Sequence, residues 1–296
     1  MPNVVDPLAF ARVLWPEVSF YREQREIIYS VVYNDETFVP AGNMLGKDFV
    51  AGFLALYFFL SRHPCRVVTT SVDHTQLEGV LWGEIRRFIQ TSKYPLDHNK
   101  GGPLLVNHLH LRKVINKKMC GLSYCIGRVA AKGEGMLGHH VPQVGDHIPR
   151  TFFIADEASG VEDIAYERSD TWAQRKLVIG NPYPCVNFFK KGVKGGDLLA
   201  KPLVLLTDEE KERQAMEAAA VLSVESNKDD VVIELPELPD EVEVADPGPG
   251  AAYVPPSSSD TFDTPVDRWY RKVIKIRGED SPNVRLAMAQ HRARLP

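Results

Sequence analysis

Five short segments of this chain are rich in β-branched and apolar residues: Thr37–Ala41, Arg66–Ser71, Ser123–Val129, Thr151–Ala155 and Lys176–Gly180. Several carry four or more apolar residues in succession. A strand with one wet face would alternate, so unbroken runs predict strands buried on both faces of a parallel sheet. Helix-like stretches lie between them. Lys47–Ser61 is apolar almost all round, and Thr75–Gln90 places Leu77, Val80, Leu81, Ile85 and Ile89 at helical spacing. Strand–helix–strand alternation over residues 1–206 predicts an α/β domain with right-handed crossovers.

The pattern stops where the charge changes. From Thr207 to Asp263 there are 16 Asp/Glu and 3 Lys/Arg, a net of −13, so a chain of formal charge −4 has +9 on the remainder. A basic body with one acidic segment suits a polyanionic partner, although solubility alone explains such a split equally well. Residues 207–265 are also rich in Pro, Gly and Ser and poor in core formers, and read as a flexible insertion or linker. One more strand is expected within Arg268–Arg277, completing the domain, followed by a basic tail to Pro296. With 44% hydrophobic and 25% charged residues in 296, collagen, coiled coil and wholly disordered chains are excluded. The four cysteines are too few for a disulfide scaffold and predict a reducing compartment. Met1 to Asp6 shows no basic-then-apolar leader, and the longest apolar run, Val50–Leu60, is well short of the ~20 residues that span a bilayer. A cytoplasmic protein without a membrane segment is expected.

Three strand ends carry the chemistry. After Thr37–Ala41 come Ala41, Gly42, Asn43, Met44, Leu45, Gly46, Lys47 and Asp48, then the apolar helix. This is the strand, glycine-rich turn, Lys, helix order of a P-loop (Walker A), in which backbone N–H groups and the helix N-terminus cradle phosphates and the Lys reaches the β/γ-phosphates. Ala41 stands where the first glycine of that pattern belongs, and Asp48 replaces the Ser/Thr that ligates Mg2+. Thr151–Ala155 ends in Asp156 and Glu157, the Walker B arrangement, with Asp156 a candidate Mg2+ ligand and Glu157 a candidate general base. Lys176–Gly180 ends in Asn181, placed to contact a γ-phosphate or the attacking water. Each motif alone has an ordinary alternative: a tight turn, an acidic helix start, or a Gly-Asn-Pro breaker. Together they fall at carboxyl strand ends of one sheet, where α/β folds bind ligands, and predict nucleotide hydrolysis.

In this order the motifs resemble the ATPase half of the large terminase subunit of tailed bacteriophages, the motor that packages DNA into proheads. The likeness covers roughly residues 15–206 and 266–285. Gln24, within Phe20–Ile28, resembles the family's adenine-recognition residue; without the family it reads as a solvent-facing position on an amphipathic helix. Val67–Ser71 with Gln76 and Trp82 resembles the elements after the P-loop helix. Gly133–His140 is similar to a glycine-rich loop ending in Gly-His, Leu177–Pro182 to the coupling motif, and Val273–Val284 to the exit from the ATPase domain. The resemblance implies an ASCE-type P-loop NTPase with a central, mainly parallel β-sheet flanked by helices. It implies ATP and Mg2+ as cofactors, with Gln24 and Ala41–Asp48 on the nucleotide, Asp156 and Asp48 on the metal, and Lys47, Glu157 and Asn181 catalytic. The implied partners are double-stranded DNA, the portal protein, the small terminase subunit and further copies of the chain in a ring.

Two departures qualify this. Asn43, Met44 and Leu45 fill positions where many members carry an arginine, so a neighbour's arginine is expected to act in trans, with Arg128 or Arg150 as candidates by location and surface charge as the alternative for each. Asp48 either ligates Mg2+ or repels the triphosphate. The family's nuclease domain has no counterpart before Pro296, so nuclease activity is not expected. A helicase-like ATPase, or a degenerate nucleotide- or DNA-binding module without turnover, is the alternative. Arg112–Lys118, Lys190–Lys194 and Arg268–Arg277 are basic clusters that suit DNA phosphates or simply solvent. Cys120 and Cys125, with His108, His110, His139 and His140 near in sequence, match no zinc spacing and read as buried thiols.

Overall fold

The computed structural model describes residues 5–129, 135–142, 148–197, 270–277 and 280. The acidic segment 207–265, Arg268 and the tail beyond residue 280 lie outside the described residues. In chain order the strands are β1 (Glu36–Pro40), β2 (Arg66–Thr70), β3 (Leu104–Asn107), β4 (His110–Ile115), β5 (Lys118–Gly127), β6 (Thr151–Ala155), β7 (Arg175–Gly180) and β8 (Arg271–Val273). The helices are α1 (Pro7–Leu14), α2 (Arg22–Tyr33), α3 (Lys47–Leu60), α4 (His74–Gln76), α5 (Trp82–Thr91), α6 (Asp163–Ser169) and α7 (Phe188–Gly195). A π-helical turn over Leu77–Leu81 joins α4 to α5.

The sheet runs β3-β4-β5-β2-β6-β7-β1-β8. All pairs from β5 to β8 are parallel, and β3 and β4 add an antiparallel edge. This is an α/β fold with a mainly parallel sheet. Successive residues of each central strand point into opposite cores, which explains the unbroken apolar runs. Val39, Val67, Phe152, Ile154, Leu177 and Ile179 face α1, α2, α3 and α5. Phe38, Val68, Phe153, Ala155 and Val178 face α6, α7 and Trp172. β6 and β7 enter between β1 and β2, so the carboxyl ends of β1, β7 and β6 lie side by side, with Pro40 opposite Gly180 and Ala155 opposite Val178. No helix among the described residues is long and apolar enough to cross a membrane.

Helix α3 is apolar all round because it is covered all round. Phe53 alone meets Trp15, Phe20, Tyr57 and Phe88, at ring separations of 5.9, 4.8, 6.1 and 6.0 Å. Gly52 lets α5 close onto it: a Cβ there would stand 2.9 Å from Glu84 Cβ and 3.2 Å from the Ile85 backbone nitrogen. Backbone cannot yield as a flexible side chain can. Gly52→Val is therefore expected to cost about 1–3 kcal/mol through overpacking, read as a lower thermal midpoint, with only a few tenths of a kcal/mol of helix-propensity gain to offset it.

The structure corrects three expectations. Val80 is 43% exposed although it fits the helical stripe. The π-helical turn adds backbone per turn and rotates it outward, while Leu77, Leu81 and Ile85 stay buried. Arg112–Lys118 is not one solvated basic cluster: it spans the β4–β5 hairpin. There Lys113 is buried, its Nζ donating to the Arg62 carbonyl at 2.5 Å, and burial pushes its pKa down to about 8. The basic stretch before Arg277 is likewise occupied structurally, with Arg271 bonded to Glu36 at 2.7 Å and Lys272 to Asp197 at 2.6 Å.

Candidate active site

The turn after β1 is built for close approach. Ala41 continues the strand, its N–H bonding the Gly180 carbonyl, and Gly42 and Asn43 lead into Met44 and Gly46 at φ of 63° and 70°. Leu45 tucks into the core between them, Met44 stands out in solvent, and Gly46 caps α3. The turn thus aims the helix N-terminus, with its partial positive charge, at the space beyond the sheet edge.

α2 fastens this turn from behind. The Tyr21 hydroxyl donates to the Leu45 carbonyl at 2.5 Å, and Gln24 Nε2 donates to the Gly46 carbonyl at 3.4 Å. Gln24 Oε1 in turn accepts from the Tyr21 N–H at 3.3 Å. Gln24 is buried against the turn after β1 rather than facing solvent, and both ends of its amide meet backbone. Tyr21 was not singled out in the sequence; its hydroxyl's target is set by the fold, not by local spacing.

Lys47, first residue of α3, is 4% exposed and reaches across to Glu157 Oε1 at 3.1 Å, with Asp48 Oδ2 at 3.7 Å. Asn181 Nδ2 donates to Asn43 Oδ1 at 2.9 Å and approaches Glu157 Oε2 at 3.4 Å. Asp156 lies fully buried beneath, its Oδ1 accepting from the Glu157 N–H at 2.8 Å. Lys47, Asp48, Asp156, Glu157, Asn181 and Asn43 therefore share one cleft at the carboxyl ends of three adjacent strands. Asn43 was expected to contribute only its backbone; its side chain joins the network as well.

Two backbone features put Glu157 there. It has φ of 47°, a left-handed conformation that costs a non-glycine residue energy and turns its side chain toward Lys47 and the turn after β1. Opposite it, Gly180 admits the turn after β6: a Cβ at that position would stand 2.9 Å from the Ala158 nitrogen.

The electrostatics are one cation among three carboxylates. Burial, then the charges of Asp48 and Glu157, push the Asp156 carboxyl well above the ordinary carboxylate range, and Lys47 only partly opposes this. Burial would lower the Lys47 ammonium, but Asp48, Glu157 and Asp156 together outweigh it and hold its pKa above the ordinary value. Asp48 Oδ1 and Asp156 Oδ2 are buried without a hydrogen-bond partner, as are Asn181 Oδ1, Thr70 Oγ1 and Ser71 Oγ near the same edge. Buried oxygens of this kind ask for a cation, water or ligand. Their hard-oxygen chemistry fits Mg2+.

The remaining site expectations divide. Arg128 is exposed at the end of β5, on the same carboxyl edge. Arg150 is not available to a neighbour: it is 8% exposed at the opposite edge, before β6, and its guanidinium bonds the carbonyls of His63 and Pro64. His139 is structural, its Nδ1 bonded to the Tyr124 hydroxyl at 2.6 Å and its ring edge-on to Trp172 at 5.0 Å. Gly133 and Glu134 of the same loop lie outside the described residues.

No protein-family model matches the sequence, and no curated protein matches it. Among solved structures, the large terminase ATPase domain of Thermus phage P74-26 aligns with a TM-score of 0.52 over 97% of this chain and 92% of that one, at 14% identity. A point mutant of the same phage domain aligns with a TM-score of 0.51 over the same shares, also at 14% identity. The likeness is one of fold.

Proposed function

We propose that this chain is the ATP-hydrolysing motor domain of a viral DNA-packaging large terminase, driving double-stranded DNA into a prohead from the host cytoplasm. The observation that carries the reading is the Lys47–Glu157–Asn181–Asn43 network, which joins all three expected motifs at one sheet edge. The shared fold with the P74-26 domain supports it.

ATP would lay its phosphates on the N–H groups of residues 42–48 and the α3 N-terminus. Lys47 would exchange Glu157 for a phosphate oxygen, since both are anionic and within its reach. Glu157, released, would then take a proton from the attacking water, with Asn181 on its far side orienting it. Because Asn181 also bonds Asn43, that exchange would be felt by both the P-loop and the end of β7, a direct route from phosphate occupancy to backbone movement. Asp48 and Asp156 would hold Mg2+, which when bound neutralises phosphate charge. Without a divalent cation their carboxylates would repel the triphosphate. Assembly as a ring on the portal protein, with the small terminase subunit and a trans arginine such as Arg128, completes the reading.

Asp48 favours a second reading, a module that binds nucleotide without turnover. Asp48→Ser separates the two in a Mg2+-dependent phosphate-release assay. A motor should hydrolyse as wild type and stay within about tenfold, about 1.4 kcal/mol, after the change. An inactive wild type that gains activity as Asp48→Ser would establish the silent module. Packaging itself is tested with proheads, portal, small subunit and linear DNA, scoring ATP-dependent protection from nuclease. Strand separation without protection would favour a helicase.

A further inference from the structure

His74, Glu78 and His108 form a second polar cluster at the carboxyl edge, beyond β2 and separate from the P-loop cleft. We propose that these three side chains bind a borderline divalent transition-metal ion of the Zn2+ type, pinning the β3–β4 turn to the π-helical turn. The proposal is independent of the nucleotide reading.

One ligand atom from each residue can be chosen so that all lie within 4.8 Å of one another. His74 Nδ1 stands 3.6 Å from Glu78 Oε2, and His108 Nε2 stands 2.5 Å from Glu78 Oε1. Ligands bound to a tetrahedral ion at roughly 2.0–2.1 Å are roughly 3.3–3.4 Å apart. The observed spacings, each to a different oxygen of Glu78, lie on either side of that value, so the carboxylate must turn to offer one oxygen to an ion shared by both imidazoles. The two imidazole ring centroids are 5.8 Å apart, with 19° between the ring planes.

The mounting is firm although the two histidines are exposed and Glu78 is half-buried. His74 and Glu78 are one helical turn apart, and Glu78 sits on the π-helical turn whose Leu77 and Leu81 are fully buried. Arg86 braces both sides through backbone, donating to the Glu78 carbonyl at 2.7 Å and the His108 carbonyl at 3.2 Å. It fixes the two segments while consuming none of the ligand atoms. Such π turns recur at functional sites. Two imidazole nitrogens and one carboxylate suit Zn2+ and its neighbours, not Mg2+, which prefers oxygen alone. Three protein ligands also leave a position for water. The sequence hides the site: His74 and Glu78 are close in the chain, but His108 joins them only because the antiparallel edge folds back over α5.

The test is calorimetric titration of the untagged, chelator-stripped full chain with Zn2+ in saturating Mg2+, with thermal midpoints in parallel. Wild type is expected to bind stoichiometrically and to melt higher with Zn2+. Glu78→Gln and His108→Ala should each weaken Zn2+ affinity by roughly tenfold or more and lose the thermal shift, whereas His98→Ala, at an exposed histidine elsewhere, should match wild type. Metal-free midpoints check folding of each variant; should His108→Ala be unstable, Glu78→Gln decides alone. No Zn2+ binding by wild type, or equal affinity in all four proteins, would overturn the proposal and leave the cluster a hydrogen-bonded ion pair.

Discussion

Lys47→Ala is expected to lower Mg2+-dependent phosphate release by about 10²–10³-fold or more and to weaken ATP and ADP binding together. No other cation that reaches the cleft is seen among the described residues. Arg128 lies at the far strand, and the buried cations Lys113, Arg62 and Arg150 lie toward the opposite edge. Lys47→Arg should not rescue: Lys47 is 4% exposed, and a planar guanidinium does not fit where a compact ammonium does. Unchanged hydrolysis in Lys47→Ala would place the activity, and the nucleotide, somewhere else.

The same variant has a pH signature. Asp156 carries a raised pKa, so the folded chain binds more protons there than the unfolded chain does above the ordinary carboxylate range. Stability from this group therefore falls as pH rises toward the raised value. Lys47 is the charge that limits the rise. Its removal should leave the thermal midpoint near wild type in acid and progressively lower toward neutral and alkaline pH. A constant offset across pH would mean that lost packing, not lost charge, dominates.

Much of this arrangement is legible in the chain because local rules and the fold agree. The five strands announce themselves through unbroken apolar runs, since two helical layers bury both faces. The cleft follows from Asp156 and Asn181, which each end such a run, and from the glycine-rich turn with Lys47 that follows a third. What the sequence conceals depends on distant closure. Leu104–Asn107 is only four residues long and His110–Ile115 carries mixed polarity, with half-buried residues alternating with buried ones, so neither reads as a strand. Val80 fits a 3.6-residue stripe that the π-helical turn breaks. Lys113 and Arg150 look like surface charges, and only their tertiary neighbours, the carbonyls of Arg62, His63 and Pro64, show that they are buried donors. The left-handed Glu157 has no local signal either: Asp-Glu after a strand reads as a helix start, and the conformation arises because Gly180 lets the turn approach β7.

That conformation makes Glu157→Gln the sharper probe of chemistry. Gln is nearly isosteric, keeps an acceptor for the Asn181 amide, and cannot take a proton from water. Phosphate release should fall by about 10²–10⁴-fold, the usual share of a general base. Nucleotide affinity should hold or rise, because Lys47 loses an anionic competitor for the phosphates while Asp48 and Asp156 still hold its ammonium in place. Lys47→Ala therefore loses binding and turnover together, and Glu157→Gln loses turnover alone. Fluorescent-nucleotide titration beside the phosphate assay distinguishes the two patterns. A Glu157→Gln protein that hydrolyses at the wild-type rate would remove the general base from the mechanism, whatever Lys47 does. One that also fails to bind nucleotide would show instead that the Lys47–Glu157 pair holds the cleft together, and that its role is structural.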